Sequence, residues 1–327
     1  MTATPTPKKA PSNLRLRVIY GVLGAALLLG CVWYGPLTFG LFFGLVQAIM
    51  LWEFYRMMEK QESKPATWIG MSVSVIIYGL AFFLTCIYMS EGMVTSSPTP
   101  STSGETHMLA SSMGKLAFMR DALFWESKTW IGFISGTGIL LVILTLFLIL
   151  REMLVWPQHQ QPFQNIGSIL TGLLYITLPM SLLCLLPYSN NNHYDYRRIF
   201  ALLFLIWASD IGAYAAGKTF GKHKMAPSIS PGKTWEGWAG GFLLTLAVGW
   251  AVGFMLPELP LAHRLVAAAV VAVFAPLGDL AESMLKRSVG VKDSGRIMPG
   301  HGGLLDRFDA FLLVLPVLAL LQLLFSS

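Results

Sequence analysis

Asp279, Glu282, Ser283 and Lys286 recur at spacings of three and four residues, so a helix would carry all four on one face. Asp306 and Asp309, in "LLDRFD", are again three apart at the start of an apolar run, and their carboxylates point the same way. Oxygen ligands drawn from two helices suit a hard divalent cation; Mg²⁺ typically takes one or two carboxylates and shares its remaining shell with substrate phosphates. Zinc is disfavoured, because His301 stands alone and Cys31, Cys86 and Cys184 lie far apart inside apolar runs. Between the two acidic segments, "PGHGG" supplies a stretch that brings backbone N–H groups close to an anion. Lys286, Arg287, Lys292, Arg296 and Arg307 add five cations. An ordinary cytoplasmic loop accounts for the basic residues but not for three membrane-edge aspartates beside a glycine-rich turn. The chemistry indicated is metal-assisted handling of phosphates.

A second polar stretch, "ASDIGAYAAGKTFGKHKMAPSISPGKTWEG", runs over residues 208–237. Asp210 interrupts an apolar helix, where a carboxylate at mid-membrane costs at least ~2.5 kcal/mol and therefore faces a partner or a wet cavity. The run Gly212–Thr219 satisfies the phosphate-loop spacing G-x-x-x-x-G-K-T, but that loop needs a preceding strand, and these residues end an apolar span. Gly217 and Gly221 are read instead as helix terminators that release a basic loop. Ser230–Pro231 is read as a helix N-cap followed by proline at the first helical position, which places Lys233 in the first turn beside free amides, a place that favours an anion. Glu53, near the end of an apolar run, either snorkels or joins a polar network. His107, His159, His193, His223 and His263 show no ligand spacing.

The elements that must position these groups are membrane spans. Of 327 residues, 54% are hydrophobic and 12% charged, about half the charged share of a soluble domain. Nine apolar segments are long enough to cross a bilayer, near 15–35, 37–57, 67–89, 130–150, 165–187, 198–217, 236–256, 262–282 and 307–325. The expectation is an all-α polytopic integral membrane protein with about nine transmembrane helices. Residues 1–14 form a cytoplasmic tail and 15–197 an N-terminal transmembrane region. Residues 198–327 form a C-terminal region that holds the chemistry. A polar stretch near 90–128 includes the low-complexity "TSSPTPSTSGE" and "LAFMRDALFWE", which suits an interfacial helix. The basic N-terminal stretch leads into an uncleaved anchor rather than a signal peptide, since no small-residue cleavage site closes the run.

Starting with the tail inside and alternating through nine spans, 17 of the 23 lysines and arginines fall inside. This gives an N-inside, C-outside topology with both polar stretches on the cytoplasmic side. Arg197–Arg198 is the clearest dissent. The net charge of +6 is gathered in short loops beside spans, which points to lipid headgroups or phosphate substrates and not to nucleic acid.

The stretch Ser283 to Asp309, "SMLKRSVGVKDSGRIMPGHGGLLDRFD", resembles the signature of the phosphatidate cytidylyltransferases, or CDP-diacylglycerol synthases. The pattern is serine, two residues, Lys-Arg, four residues, Lys-Asp, then Pro-Gly-His-Gly-Gly, two residues, Asp-Arg and a final aspartate. "SDIGAYAAGKTFGKHKMAPSISPGKTWEG" is similar to the family's other polar loop, and the two together cover about the last 120 residues. The first 200 agree only as a string of spans, and the 90–128 stretch has no match in the family pattern.

The resemblance implies that CTP and phosphatidate give CDP-diacylglycerol and pyrophosphate in the membrane. It implies Mg²⁺, which in this family can be paired with a monovalent cation such as K⁺. Asp279, Asp306 and Asp309 would hold the metal centre and, with Lys286, form the catalytic group. Ser230, Lys233, Lys286, Arg287, Lys292 and Arg307 would grip the phosphates, and the turn Gly300-His301-Gly302-Gly303 would contact or orient the triphosphate. Asp210 and Glu236 would complete the polar cavity. The implied location is the bacterial inner (cytoplasmic) membrane with the site facing the cytoplasm; a homodimer stays open.

Two other readings compete. A CTP-dependent lipid kinase, or a transferase using a polyprenyl or ether lipid, would share the headgroup problem. A transporter coupling Asp210 to ions would require paired broken helices in two related halves, and no convincing repeat is present.

Overall fold

The computed structural model describes residues 13–61, 64–95, 129–157, 161–188, 193–295, 297 and 302–325. The N-terminal tail up to residue 12, the "LAFMRDALFWE" segment, Arg296 and Pro299 to His301 lie outside the described residues. Nine helices account for most of what is described. They are α1 (Asn13–Tyr34), α2 (Pro36–Met58), α3 (Thr67–Thr95), α4 (Thr129–Val155), α5 (Pro162–Leu185), α6 (Tyr196–Phe220), α7 (Trp235–Ala251), α8 (Leu261–Ser288) and α9 (Leu305–Phe325). Each coincides with one of the nine apolar segments. Seven are long and apolar enough to cross a membrane. α1 adds a shorter apolar stretch, Val18–Tyr34, and α9 carries Asp306, Arg307 and Asp309 in its opening turns. α3 reaches Thr95, so the polar stretch expected from residue 90 begins as helix.

Large apolar side chains point outward on several helices: Val22, Leu23 and Leu27 on α1, Leu41 and Leu45 on α2, and Val142, Ile143, Leu146, Phe147 and Leu150 on α4. Such a belt is unstable in water and ordinary against lipid, where helices satisfy their own backbone hydrogen bonds. The protein is therefore a polytopic membrane protein.

α2, α5 and α9 meet at the centre. Phe39, Phe43, Met50, Leu51 and Phe54 of α2 pack with Ile169, Leu173 and Ile176 of α5 and with Leu312, Val314 and Leu315 of α9, all buried. Burial of apolar surface cannot bind helices together in lipid as it does in water, so polar contacts matter more here. Gln47 of α2 supplies one, donating to Ser74 of α3 and to Thr177 of α5, the latter at 3.1 Å. α5 widens into a π-turn over Leu173–Thr177, ending two residues before Pro179, which lacks an N–H for the helical ladder.

The C-terminal helices pack through small residues. A side chain at Gly212 of α6 would strike the backbone of Gly240 and Gly241 on α7, and one at Gly237 would strike the carbonyl of Ala213. The phosphate-loop spacing at Gly212–Thr219 thus belongs to a helix–helix contact surface. α6 continues through Gly217 to Phe220 and stops at Gly221; Gly217 lets α7 approach and does not end the helix.

The expected helix start at Ser230 is corrected. Ser230–Thr234 forms strand β2, antiparallel to β1 (Lys224–Ala226), with Lys224 opposite Thr234 and Ala226 opposite Ser230. The helix begins at Trp235, where Thr234 Oγ1 accepts from Gly237 N at 3.1 Å. Both capping candidates are paired in the hairpin; Thr234, the last residue of β2, adjoins the helix and becomes its cap, whereas Ser230 lies four residues earlier at the strand's start. Lys233 therefore sits on a strand, one residue ahead of the cap.

Candidate active site

Gly278 brings α8 and α9 into main-chain contact: a Cβ there would meet the Asp309 carbonyl at 2.6 Å and the Ala310 Cα at 3.0 Å. That approach sets Asp279, the next residue, beside Asp309. Glu282, one turn along α8, completes a group whose carboxylate oxygens from Asp279, Glu282 and Asp309 all lie within 4.8 Å of one another. Two of these three were expected to share a metal site. Glu282, the third, is expected from its spacing only to share the helix face.

Lys233 reaches from β2 across to α8, with Nζ 2.8 Å from Asp279 Oδ2 and donating to the Pro276 carbonyl at 2.9 Å. Ser283 Oγ donates to Asp279 Oδ1 at 3.2 Å. Asp210, exposed on α6, lies close enough to Asp279, Asp309 and Lys233 for their charges to act on one another. α6, β2, α8 and α9 thus converge on one polar site inside an apolar bundle.

Asp306 is turned differently. Its carboxylate accepts from Lys286 Nζ at 2.7 Å, from Ser294 N and Oγ at 3.0 Å each, and from Gly303 N at 2.8 Å. Lys286 also pairs with Glu282 four residues earlier on its own helix, so this ammonium bridges α8 to α9. Gly302 has φ +83°, the left-handed region that suits glycine, and this turn delivers the Gly303 N–H to Asp306. Among the described residues of the glycine-rich turn, the backbone donor at Gly303 is therefore spent on an aspartate.

Glu53 resolves in favour of a polar network. Its carboxylate is almost wholly buried and accepts from Leu304 N at 3.2 Å, Leu305 N at 2.9 Å and Ser294 Oγ at 3.2 Å. A carboxylate from α2 thus satisfies the free amides at the start of α9, where the helix dipole also favours negative charge. Side chains at Gly295 or Gly303 would collide with it. The only early signal was a carboxylate near the end of an apolar span. Ser294 gave none.

Arg287, Lys292 and Arg307 are exposed around this group, and Ser230 is partly exposed at the start of β2. Glu236 lies apart from the cluster: it pairs with His223 and accepts from the backbone of Lys222 and His223, tying the entry of the hairpin to α7. Gly300 and His301 are outside the described residues.

Among the described residues the charges do not balance. The buried or half-buried carboxylates of Asp279, Glu282, Asp306, Asp309 and Glu53, with Asp210 exposed beside them, outnumber the two ammonium groups paired with them, Lys233 and Lys286. Both Glu282 oxygens are buried without a hydrogen bond of good geometry, although Lys286 lies against one of them. Uncompensated carboxylates in a low-dielectric interior are costly unless a cation neutralises them. An all-oxygen donor set of this spacing fits a hard divalent cation, with Asp279, Glu282 and Asp309 as its holders.

A helical membrane bundle with such a cluster at one end of its C-terminal helices defines a class: polytopic membrane proteins with a carboxylate-lined polar site suited to a hard cation. The chain matches the model of the Cytidylyltransferase family over residues 15–99 and 100–325, and it belongs to that family. It is 42% identical to a phosphatidate cytidylyltransferase of Bacillus subtilis (strain 168) over 198 residues, 59% of this chain and 72% of the relative. A phosphatidate cytidylyltransferase of Staphylococcus saprophyticus is 32% identical over 253 residues, 77% of this chain and 90% of the relative. One from Staphylococcus aureus (strain COL) is 49% identical over 118 residues, 36% of this chain and 45% of the relative.

Proposed function

We propose that this enzyme transfers the cytidylyl group of CTP to phosphatidate, yielding CDP-diacylglycerol and pyrophosphate. Family membership and relatives that carry the name phosphatidate cytidylyltransferase support the activity. The observation that carries the reading at the level of the site is the Asp279–Glu282–Asp309 group with Lys233 beside it.

In the reaction, an oxygen of the phosphatidate phosphate attacks the α-phosphorus of CTP, the bond from the α-phosphorus to the bridging oxygen breaks, and pyrophosphate leaves. A phosphate monoester is already ionised near neutral pH, so no strong protein base is needed, and catalysis rests on positioning and charge neutralisation. A bound Mg²⁺, alone or with a monovalent cation such as K⁺, would offset charge on the phosphoryl oxygens. Asp279, Glu282 and Asp309 would hold it. Lys233, on a hairpin beside the cluster, would exchange part of its contact with Asp279 for a substrate phosphate. Arg287, Lys292 and Arg307 would draw the triphosphate and the lipid headgroup to the rim. Lys286, bridging Glu282 and Asp306, would keep α8 and α9 in register.

The excess of lysine and arginine on the loops at this end supports a cytoplasmic orientation, where CTP is available, in a bacterial inner membrane. Phosphatidate would enter from the adjoining leaflet. The test is purified protein incubated with CTP, phosphatidate and Mg²⁺. Stoichiometric CDP-diacylglycerol and pyrophosphate are expected, with all turnover lost to a chelator and restored by Mg²⁺. Release of CDP would identify a kinase and overturn the assignment.

A further inference from the structure

A cavity of about 800 Å³ lies at the end of the bundle opposite the carboxylates, between the start of α6, the end of α7, the start of α8 and the end of α9. Arg198 and Asp279 mark the two ends. Along α8 alone, Arg264 beside the cavity and Asp279 at the active site are 15 residues apart, about 22 Å at helical rise. The cavity therefore shares no residue with the site already described.

Its lining is amphipathic. Asp195, Arg197, Arg198, Glu258 and Arg264 supply its charge, while Leu205, Leu256 and Leu318 are among the apolar residues lining the rest. The charges are unevenly paired. Arg197 takes both nearby carboxylates, with Asp195 at 2.8 Å and Glu258 at 2.5 Å. Among the described residues, Arg198 hydrogen-bonds the Tyr188 carbonyl alone, at 3.0 Å, with Asp195 and Glu258 near enough to act on its charge, and Arg264 the Trp250 carbonyl alone, at 3.3 Å. The Nε–H of each is buried with no hydrogen-bond partner among the described residues. Neither has a carboxylate within ion-pair distance among the described residues. The Arg264 guanidinium lies against Gly253, where any side chain would overlap it, so the backbone leaves room for this cation.

Two under-satisfied guanidinium groups over an apolar pocket match a ligand with an anionic head and a hydrocarbon body. Arginine is suited to phosphate in particular, because its planar fork meets two oxygens at once. The volume falls within the ~300–1,000 Å³ typical of small-ligand pockets, enough for a headgroup and part of one chain. The medium around this protein supplies such molecules.

We propose that this cavity binds the phosphate headgroup of a bilayer phospholipid at Arg198 and Arg264, with acyl chain against Leu205, Leu256 and Leu318. It is a second lipid site, at the membrane face away from the active site, and its occupant is retained and not turned over. It also gives a role to Arg198, one of the two arginines that depart from the topology rule; the other, Arg197, is paired within the protein.

The test uses the full chain in detergent with phosphatidylglycerol bearing a diazirine on one acyl chain. After irradiation and peptide mapping, adducts are expected within residues 198–205, 252–259 and 318–322. Labelling should fall at least about tenfold in R198Q/R264Q, the loss of one charge-assisted contact or more. Turnover of that variant at saturating CTP and phosphatidate should stay within about twofold of the parent, as expected for a site outside the catalytic group. Equal labelling by a diazirine diacylglycerol, or adducts confined to other regions of the parent protein, would overturn the proposal without any variant being needed. Abolition of labelling by millimolar inorganic phosphate would assign the arginines to a free anion and overturn the lipid. If R198Q/R264Q does not fold, Ala267→Phe, which fills the cavity, replaces it; undiminished labelling there would also overturn the proposal.

Discussion

The Glu53 carboxylate, near the end of α2, accepts a hydrogen bond from the backbone N–H of Leu305, the first residue of α9, at 2.9 Å. These two residues are 252 positions apart, and through them the N-terminal helices hold the starting point of the helix that carries Asp306 and Asp309. Glu53→Gln keeps the shape but removes the charge from at least two donor contacts, and hydrogen bonds to charged groups contribute about 1.5–3 kcal/mol each. The variant should insert, melt earlier in detergent and lose roughly tenfold or more in turnover, as a displaced site would. A melting curve and turnover both equal to the parent's would remove Glu53 from any positioning role.

Asp279→Asn and Asp309→Asn should each cut turnover by at least about a hundredfold, comparable to losing a principal electrostatic contact in a transition state. Both proteins should remain folded, because neither carboxylate anchors a helix end outside its own. Detergent size-exclusion profiles alongside pyrophosphate release would check this.

Glu282 and Asp306 make opposite predictions. Glu282→Gln should raise the Mg²⁺ concentration for half-maximal activity, about tenfold for one weakened ligand. Asp306→Asn, which frees Lys286 and the donors of Ser294 and Gly303, should chiefly lower the melting temperature. If Asp306→Asn instead shifts the Mg²⁺ requirement and leaves melting intact, Asp306 belongs with the metal holders.

Lys233→Ala should mainly raise the apparent KM for CTP, by about tenfold if one charge-assisted phosphate contact is lost. The hairpin should survive, since its pairing is backbone to backbone and Thr234 still caps α7. An unchanged KM would leave the lysine with a structural role only.

Gly278→Ala tests the α8–α9 contact. A methyl group meeting the Asp309 carbonyl at 2.6 Å forces two main chains apart, which should cost about 1–3 kcal/mol and more in activity than in stability. Turnover equal to the parent's would show that the spacing of Asp279 and Asp309 tolerates that shift.

Among the described residues, the placement of the nine helices was readable from the sequence because a span needs a long apolar run and little else, and all nine runs became helices. The pairing of Asp279 with Asp309 was readable from two acidic clusters on consecutive helices joined by a glycine-containing loop, residues 289–304. The orientation of Asp306 was not. A carboxylate in the first turn of a helix can fold back onto free amides or reach forward, and Lys286 together with the Ser294 and Gly303 donors decides for the first. Glu53 could not be placed because its partners come from the other end of the chain. The cap at Thr234 instead of Ser230 depended on hairpin pairing, a tertiary event that local preference for capping residues does not see.

α8 is 28 residues long, about 42 Å, against a hydrocarbon layer of ~30 Å. A rod of that length must lean or push its final turns past the acyl chains, and the thickness of the host bilayer sets how far. Asp279, Glu282 and Lys286 ride on those turns, so their height relative to the headgroups depends on the surrounding lipid. Vesicles of shorter or longer chains should therefore tune the rate without any change in the protein.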